Sequence, residues 1–320
     1  MNKEQFYQSG YEFLEKLFTE FSEEEIQFEK HWSIDHLCFR TGSDESYEHF
    51  KSLFVDFGRL LIESPVNGRL ISTFKLFEPF RYKHWFIDLV ELPAPKKGKV
   101  TKEGFEHIEV VIDVPFADII NRYQGKTFAG GGLSKLFNRE LEMELKSGAV
   151  KFHHLSLESV VNLEANTKVF HALMNSQVLE KLKFYEPLVT GTFPLNLHRT
   201  DSDLDILIPA KVEEVKALFP GATVSENVLS FTFEGVPFEI YCDSIPAVKQ
   251  KASIHFQVEE KLLKLGGELF YQDLKELRSQ GLKTEPAFAQ RLHLKDDPYE
   301  ALLNLRHYTE EELEKLIYGD

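Results

Sequence analysis

Between Ser33 and His154 the chain spells one order of elements twice, and this duplication constrains its fold more than any other feature. In the first copy, Ser33 to Arg40 reads as a strand and Ser43 to Phe57 as a helix, with Ser43 as N-cap. Arg59 to Glu63, Arg69 to Leu76 and His84 to Glu91 follow as strands, with Asn67-Gly68 as a hairpin turn. A Pro93-to-Gly98 linker separates the copies. The second copy opens with a strand, Phe105 to Ile112, and a helix, Pro115 to Tyr123, then a Gly130-Gly131-Gly132 loop. A hairpin closes it: Leu141, Met143 and Leu145 alternate with Glu140, Glu142 and Glu144, Lys146-Ser147-Gly148 turns, and Ala149 to His154 returns. Two βαβββ units predict a paired, partly closed sheet with a pocket between the modules. Residues 3 to 29 carry Phe6, Phe13, Leu14, Leu17, Phe18 and Phe21 at helical spacing and predict one or two covering helices.

Four polar residues stand at corresponding places in the copies. His36 lies in the first strand of the first and Glu91 ends its last strand; His107 lies in the first strand of the second and His153 in its last. Imidazole and carboxylate are ordinary ligands of zinc and other transition metals, so a sheet curled around a divalent cation would gather them. The segments IDHLCFR, NGRLISTFKLFEP, IDLVELPAP, GFEHIEVVI and VKFHHLSLESVV resemble the YecM-like family of the vicinal-oxygen-chelate superfamily, over about residues 30 to 165. The resemblance implies the glyoxalase-like paired βαβββ fold and a metal pocket at His36, Glu91, His107 and His153, for an ion such as Zn, Ni, Mn or Fe. It supplies a site without a reaction.

Length and composition bound the rest. At 320 residues the chain is expected to form two domains, 1–162 and 163–320, of α+β class. Its 42% hydrophobic content and 28 phenylalanines suit packed, sheet-rich cores. A formal charge of −15 argues against broad nucleic-acid binding, where phosphate contacts supply most non-specific affinity. Cys38 and Cys242 sit in apolar strand-like runs, which argues against a disulfide framework. No run of 18 apolar residues occurs, and the first residues form an acidic amphipathic helix, so the expectation is a cytoplasmic protein without membrane partners.

The second half turns on Gly191-Thr192 followed by Asp203-Leu204-Asp205-Ile206-Leu207-Ile208. Residues two apart on a strand share a face, so Asp203 and Asp205 lie side by side. At ~5 Å and an effective dielectric of ~20, such charges repel by roughly 3 kcal/mol, which a cation or a shared proton would relieve. Glu239, in the apolar strand Phe238 to Cys242, is a third acid of this kind. Several carboxylates converging from adjacent strands suit Mg and a triphosphate, and a Gly-Thr turn lets backbone N–H groups approach phosphates. Asn166 to Lys183 reads as one helix and Val212 to Leu218 as a short one, with a strand from Val228 to Glu234. Ser253 to Leu265, Phe270 to Gln280, Pro286 to Leu294, Pro298 to Leu305 and Thr309 to Ile317 read as helices walling a cleft, lined by His255, Lys283, Thr284 and Glu285.

Gly-Thr, a ten-residue gap, Asp-x-Asp and a later acid on a neighbouring strand resemble the nucleotidyltransferase superfamily. Thr192 stands where that superfamily more often has Ser, keeping a hydroxyl. The resemblance implies a small mixed sheet with helices, phosphate binding at Gly191 and Thr192, metal binding at Asp203 and Asp205, and catalysis by these with Glu239. The leading expectation is therefore an Mg-dependent nucleotidyltransferase. It would move a nucleoside monophosphate from a nucleoside triphosphate to a small-molecule or protein acceptor. The alternatives are a metal-dependent lyase, dioxygenase or isomerase acting through the first half, or a ligand-binding protein.

Overall fold

A computed structural model describes residues 1–66, 68–96, 98 and 101–319. Backbone contacts divide the chain into two units. The first holds residues 1–112, 119–134 and 140–153; the second holds 113–118, 135–139 and 154–320. The expected boundary at 162/163 falls inside a helix, Leu157–Ala165, of the second unit.

The first unit opens with α1 (Lys3–Glu23), whose start is fixed by a capping box between Asn2 and Gln5. Its apolar stripe is buried as the spacing predicts: Phe6 packs against Phe39, Phe54, Phe57, Phe80 and Phe105. β1 (Ser33–Arg40), α2 (Asp44–Phe54), β2 (Gly58–Val66), β3 (Arg69–Tyr82) and β4 (Trp85–Pro93) follow. Ser43 caps α2 by accepting from Ser46 N. The second copy gives β5 (Gly104–Val111), α3 (Phe116–Arg122), β6 (Phe128–Ala129), β7 (Leu141–Glu144) and β8 (Ala149–His153). The sheet order is β2-β3-β4-β1-β5-β8-β7-β6, with β1·β4 and β5·β8 parallel and β1·β5 antiparallel. The two βαβββ copies thus meet along β1 and β5. Asn67 of the predicted hairpin turn and Lys97 of the predicted linker lie outside the described residues. The β7–β8 turn is tied to α1: Glu20 accepts from Lys146 N at 2.8 Å and Ser147 N at 2.7 Å.

The second unit contains α4 (Leu157–Ala165), α5 (Thr167–Asn175), α6 (Val178–Leu182), β9 (Leu188–Thr190), β10 (Leu204–Ile208), α7 (Val212–Val215), β11 (Thr223–Ser225), β12 (Val228–Phe233) and β13 (Val236–Cys242). Its sheet order, β11-β12-β13-β10-β9, is mixed: β10·β13 is parallel and the other pairs antiparallel. The single helix expected over 166–183 is broken. Gln177 takes φ +56, and Ser176 Oγ donates to Leu173 O while accepting from Val178 N. The helices expected at 253–265 and 270–280 are joined in α8 (Lys251–Ser279), which breaks helical geometry at Gly267. α9 (Thr284–Arg291), α10 (Pro298–Leu303) and α11 (Glu310–Tyr318) complete the unit. Among the described residues, no helix is long and apolar enough to cross a membrane.

Candidate functional site

In the first unit the site is built by two β-bulges in the β1·β5 ladder. Ile34 pairs with Val110 but His36 with Glu109, so Asp35 is an extra residue on β1. Cys38 pairs with His107 but Phe39 with Phe105, so Glu106 is an extra residue on β5. A bulge re-aims the side chains beside it. Here each extra residue is an acid that turns onto the imidazole following it. His36 Nδ1 lies 2.8 Å from Asp35 Oδ2, and His107 Nδ1 lies 2.9 Å from Glu106 Oε2. A carboxylate on Nδ1 fixes the ring and leaves Nε2 facing the group of donors.

Those Nε2 atoms converge on Glu109. Its Oε1 is 3.5 Å from His36 Nε2 and 3.2 Å from His107 Nε2; its Oε2 is 2.5 Å from His153 Nε2. Lys151 Nζ lies 3.0 Å from Oε1. Burial alone would raise the Glu109 carboxyl, but Lys151, His36 and His153 hold it well below the usual carboxylate range. Burial opposes the charged form of His36, yet Glu109 and Asp35 raise it to about 10. Glu106, resisting its own burial, is pulled down to about 2 by His107 and Arg40.

The donor set fits a divalent cation. His36, Glu91 and Glu109 offer ligand atoms within 4.8 Å of one another, and so do Glu109, Glu140 and His153. His36 Nε2 is buried and makes no hydrogen bond among the described residues. A cation bound there would give His36 Nε2 a partner and would itself offset the charge of Glu91 and Glu109.

Of the four residues expected here, His36 and Glu91 fall in one of these groups and His153 in the other. His107 reaches Glu109 but groups with Cys38 and Glu106. The register also corrects the expected symmetry. Cys38 faces Glu91 across β1·β4, while Glu109 faces Lys151 across β5·β8, so the counterpart of Glu91 is Lys151; His153 lies two residues further, opposite Val111. Glu109 and Glu140 escaped the sequence reading. The spacing His107-Ile108-Glu109, two residues on one strand, was the signal that places Glu109 on the face of the histidines.

In the second unit, Asp205 on β10 stands opposite Glu239 on β13 and Thr190 on β9, and Asp203 immediately precedes β10. The carboxylates of Asp203, Asp205 and Glu239 offer oxygens within 4.8 Å of one another. Burial, then the neighbouring acids, raises Asp203, and raises Asp205 well above the carboxylate range; Glu285 adds to the latter. Tyr241 OH donates to Glu239 Oε2 at 2.5 Å. Gly191 has φ +83, and a Cβ there would lie 2.0 Å from Asp205 Oδ2, so the turn closes onto that carboxylate only as glycine. Thr192 Oγ1 donates to Ser202 Oγ at 3.3 Å. A cavity of ≈ 620 Å³ opens beside the acids, lined by Asp203, Glu239, Lys181, Ser230 and Phe231 among others. His255, Lys283, Thr284 and Glu285 do not line it. His255 is buried, with Nε2 2.9 Å from Tyr299 O and Nδ1 3.6 Å from Glu285 Oε1.

Residues 2–135 match the YecM protein family, and residues 171–305 match a domain of unknown function (DUF4269). Protein YecM of Escherichia coli (strain K12) is 32% identical over 148 residues, 41% of this chain and 78% of that protein. An uncharacterized protein of Haemophilus influenzae (strain Rd) is 39% identical over 93 residues, 29% of this chain. The chain spans about half of that relative, 49% of its length. Among solved structures, the structural-genomics Protein EC4020 is 28% identical, covering 49% of this chain and 86% of its own, with a TM-score of 0.39.

Proposed function

The chain belongs to the YecM protein family, and from that premise we propose that its first unit is a divalent-metal centre acting on a small, oxygen-bearing substrate as a lyase, isomerase or dioxygenase of vicinal-oxygen-chelate type. The observation that carries this reading is the convergence of three buried imidazoles on Glu109 from two bulges and a neighbouring strand. His36, Glu91 and Glu109 would hold a transition metal such as Zn, Ni, Mn or Fe, with His153 on the other oxygen of Glu109. The bound ion would supply a Lewis acid that polarises a substrate oxygen. The chain's own groups do the rest. Asp35 keeps the His36 ring in place, and Lys151 keeps Glu109 ionised and pinned. Glu140, more exposed than Glu109, would be the carboxylate that takes a substrate proton. Titrating Zn2+, Mn2+, Ni2+ and Fe2+ into chelator-stripped protein tests this. The expected result is binding with release of protons, since His36 must give up a proton held to about pH 10. No metal taken up at any pH would end the proposal.

A second reading has its own support in the Asp203, Asp205 and Glu239 group. We infer that the second unit is an Mg-dependent nucleotidyltransferase, moving a nucleoside monophosphate from a triphosphate to a small-molecule or protein acceptor. Asp203 and Asp205 would hold Mg2+, which neutralises triphosphate charge, with Glu239 a further ligand or the base for the acceptor. Gly191 gives the close backbone approach that a phosphate needs, and Thr192 the hydroxyl. Incubation with α-labelled nucleoside triphosphates and Mg2+ decides it. Label transfer or pyrophosphate release is expected; neither, with each of the common nucleotides, would contradict it.

A further inference from the structure

The polar face of the eight-stranded sheet carries a second donor group, which adds Cys38 and Glu106 to the His107 imidazole that also reaches Glu109. Cys38 pairs with His107 across β1·β5, one Leu37–Ile108 pair beyond His36–Glu109 and so on the same face of the ladder. Cys38, His107 and Glu106 offer ligand atoms within 4.8 Å of one another. Cys38 is a free thiol with no exposed surface, and His107 is 2% exposed. Arg40 pairs with Glu106 Oε2, the same oxygen that faces His107 Nδ1, so this carboxylate is held in place beside the imidazole.

The two bulges explain why the group exists. Asp35-His36 on one bulge is matched by Glu106-His107 on the other, and the antiparallel pairing then matches Glu109 with Cys38. Duplication has therefore left two half-sites of the same build that differ in softness. One is imidazole plus carboxylate; the other is imidazole plus thiol. Thiolate selects zinc and similarly thiophilic ions over Mg, Ca and Mn, whereas carboxylate does not. A thiol at that position costs nothing in packing, because free cysteine behaves as a small apolar residue, but it changes which ion the half-site prefers.

We propose that Cys38, His107 and Glu106 form a second cation site in the first unit, specific for a thiophilic divalent ion such as Zn2+. The proposal extends the metal-centre reading of this unit by adding a site of different ligand chemistry beside it. Binding is pure coordination without redox change: the Cys38 thiol proton and any proton on the coordinating imidazole nitrogen pass to solvent as the metal bonds form.

Cobalt(II), a coloured stand-in for zinc, separates the two sites. Full-length, chelator-stripped protein is titrated with Co2+ in the presence of excess Mg2+ and read in the near ultraviolet and visible. The expected result is a thiolate-to-cobalt charge-transfer band in the parent. Cys38→Ser should abolish it and bind one equivalent less, while His36→Gln and Cys242→Ser should keep it. Should Cys38→Ser fail to fold by circular dichroism, His107→Gln takes its place, and the band is expected to shift and weaken at least several-fold. Cobalt bound to the parent without that band overturns this inference and leaves the Glu109 centre standing. No cobalt bound overturns both. A band lost with Cys242→Ser instead of Cys38→Ser also overturns it.

Discussion

Asp205→Asn should make the metal-free protein more stable, the reverse of what most buried substitutions do. Asp203, Asp205 and Glu239 bring oxygens within 4.8 Å of one another, where two unit charges at an effective dielectric of ~20 repel by about 3.5 kcal/mol. The fold answers by raising Asp205 well above its ordinary value, through burial first and then through Asp203 and Glu239. The sign follows from linkage. A carboxyl raised on folding binds its proton more tightly in the native state, so stability is lost as pH rises above the unfolded value near 4. Asparagine keeps the shape and removes the charge. After screening, a gain of about 1–3 kcal/mol is expected at pH 7, roughly 2–12 °C in the melting temperature of a unit this size. The gain should vanish as pH falls toward 4. Thermal denaturation in EDTA and in excess Mg2+, across that pH range, reads both effects. Mg2+ should stabilise the parent and not the variant. A variant less stable than the parent in EDTA at pH 7 would refute the reasoning, because the carboxylate would then be structural rather than repelled.

Gly191→Ala should cost about 1–2 kcal/mol for a side chain at φ +83 and, by displacing Asp205, abolish Mg2+ binding in calorimetry with the far-ultraviolet spectrum retained. In metal-free protein, His36 is raised on folding from 6.5 to about 10, so its contribution is full below pH 6.5 and lost as pH rises to about 10. Denaturant melts should fall through that window, and His36→Gln should flatten the fall. Glu20→Ala removes a buried carboxylate that accepts from Lys146 N and Ser147 N, and should cost about 2–3 kcal/mol. Hydrogen exchange at those amides should rise in step; unchanged protection would contradict the assignment.

The duplicated βαβββ order was legible because strand alternation and turn residues are local signals. The place where the copies join was not. Asp35 and Glu106 read as ordinary members of their strands, and nothing local marks them as extra residues; only the pairing of Ile34 with Val110 and His36 with Glu109 reveals it. That slip is what turns an acid onto each imidazole. Glu109 was hidden for another reason: a single acid in a strand reads as a solvated residue until three histidines are seen around it. In the second half, Asp203 and Asp205 were legible as an i, i+2 pair, and Glu239 as an acid in an apolar strand. The break at Gln177 was not, because left-handed backbone at a non-glycine residue leaves no mark in the apolar stripe on either side.

The central claim, a metal centre organised by Glu109, is tested most directly by calorimetric titration of Zn2+ into the parent and into Glu109→Gln, run in two buffers of different ionisation enthalpy to count protons. The account predicts two proton-releasing Zn2+ binding events in the parent and, in the variant, loss or at least ten-fold weakening of the one at Glu109 with the Cys38 site retained. Equal affinity and equal proton release in the two proteins would contradict it.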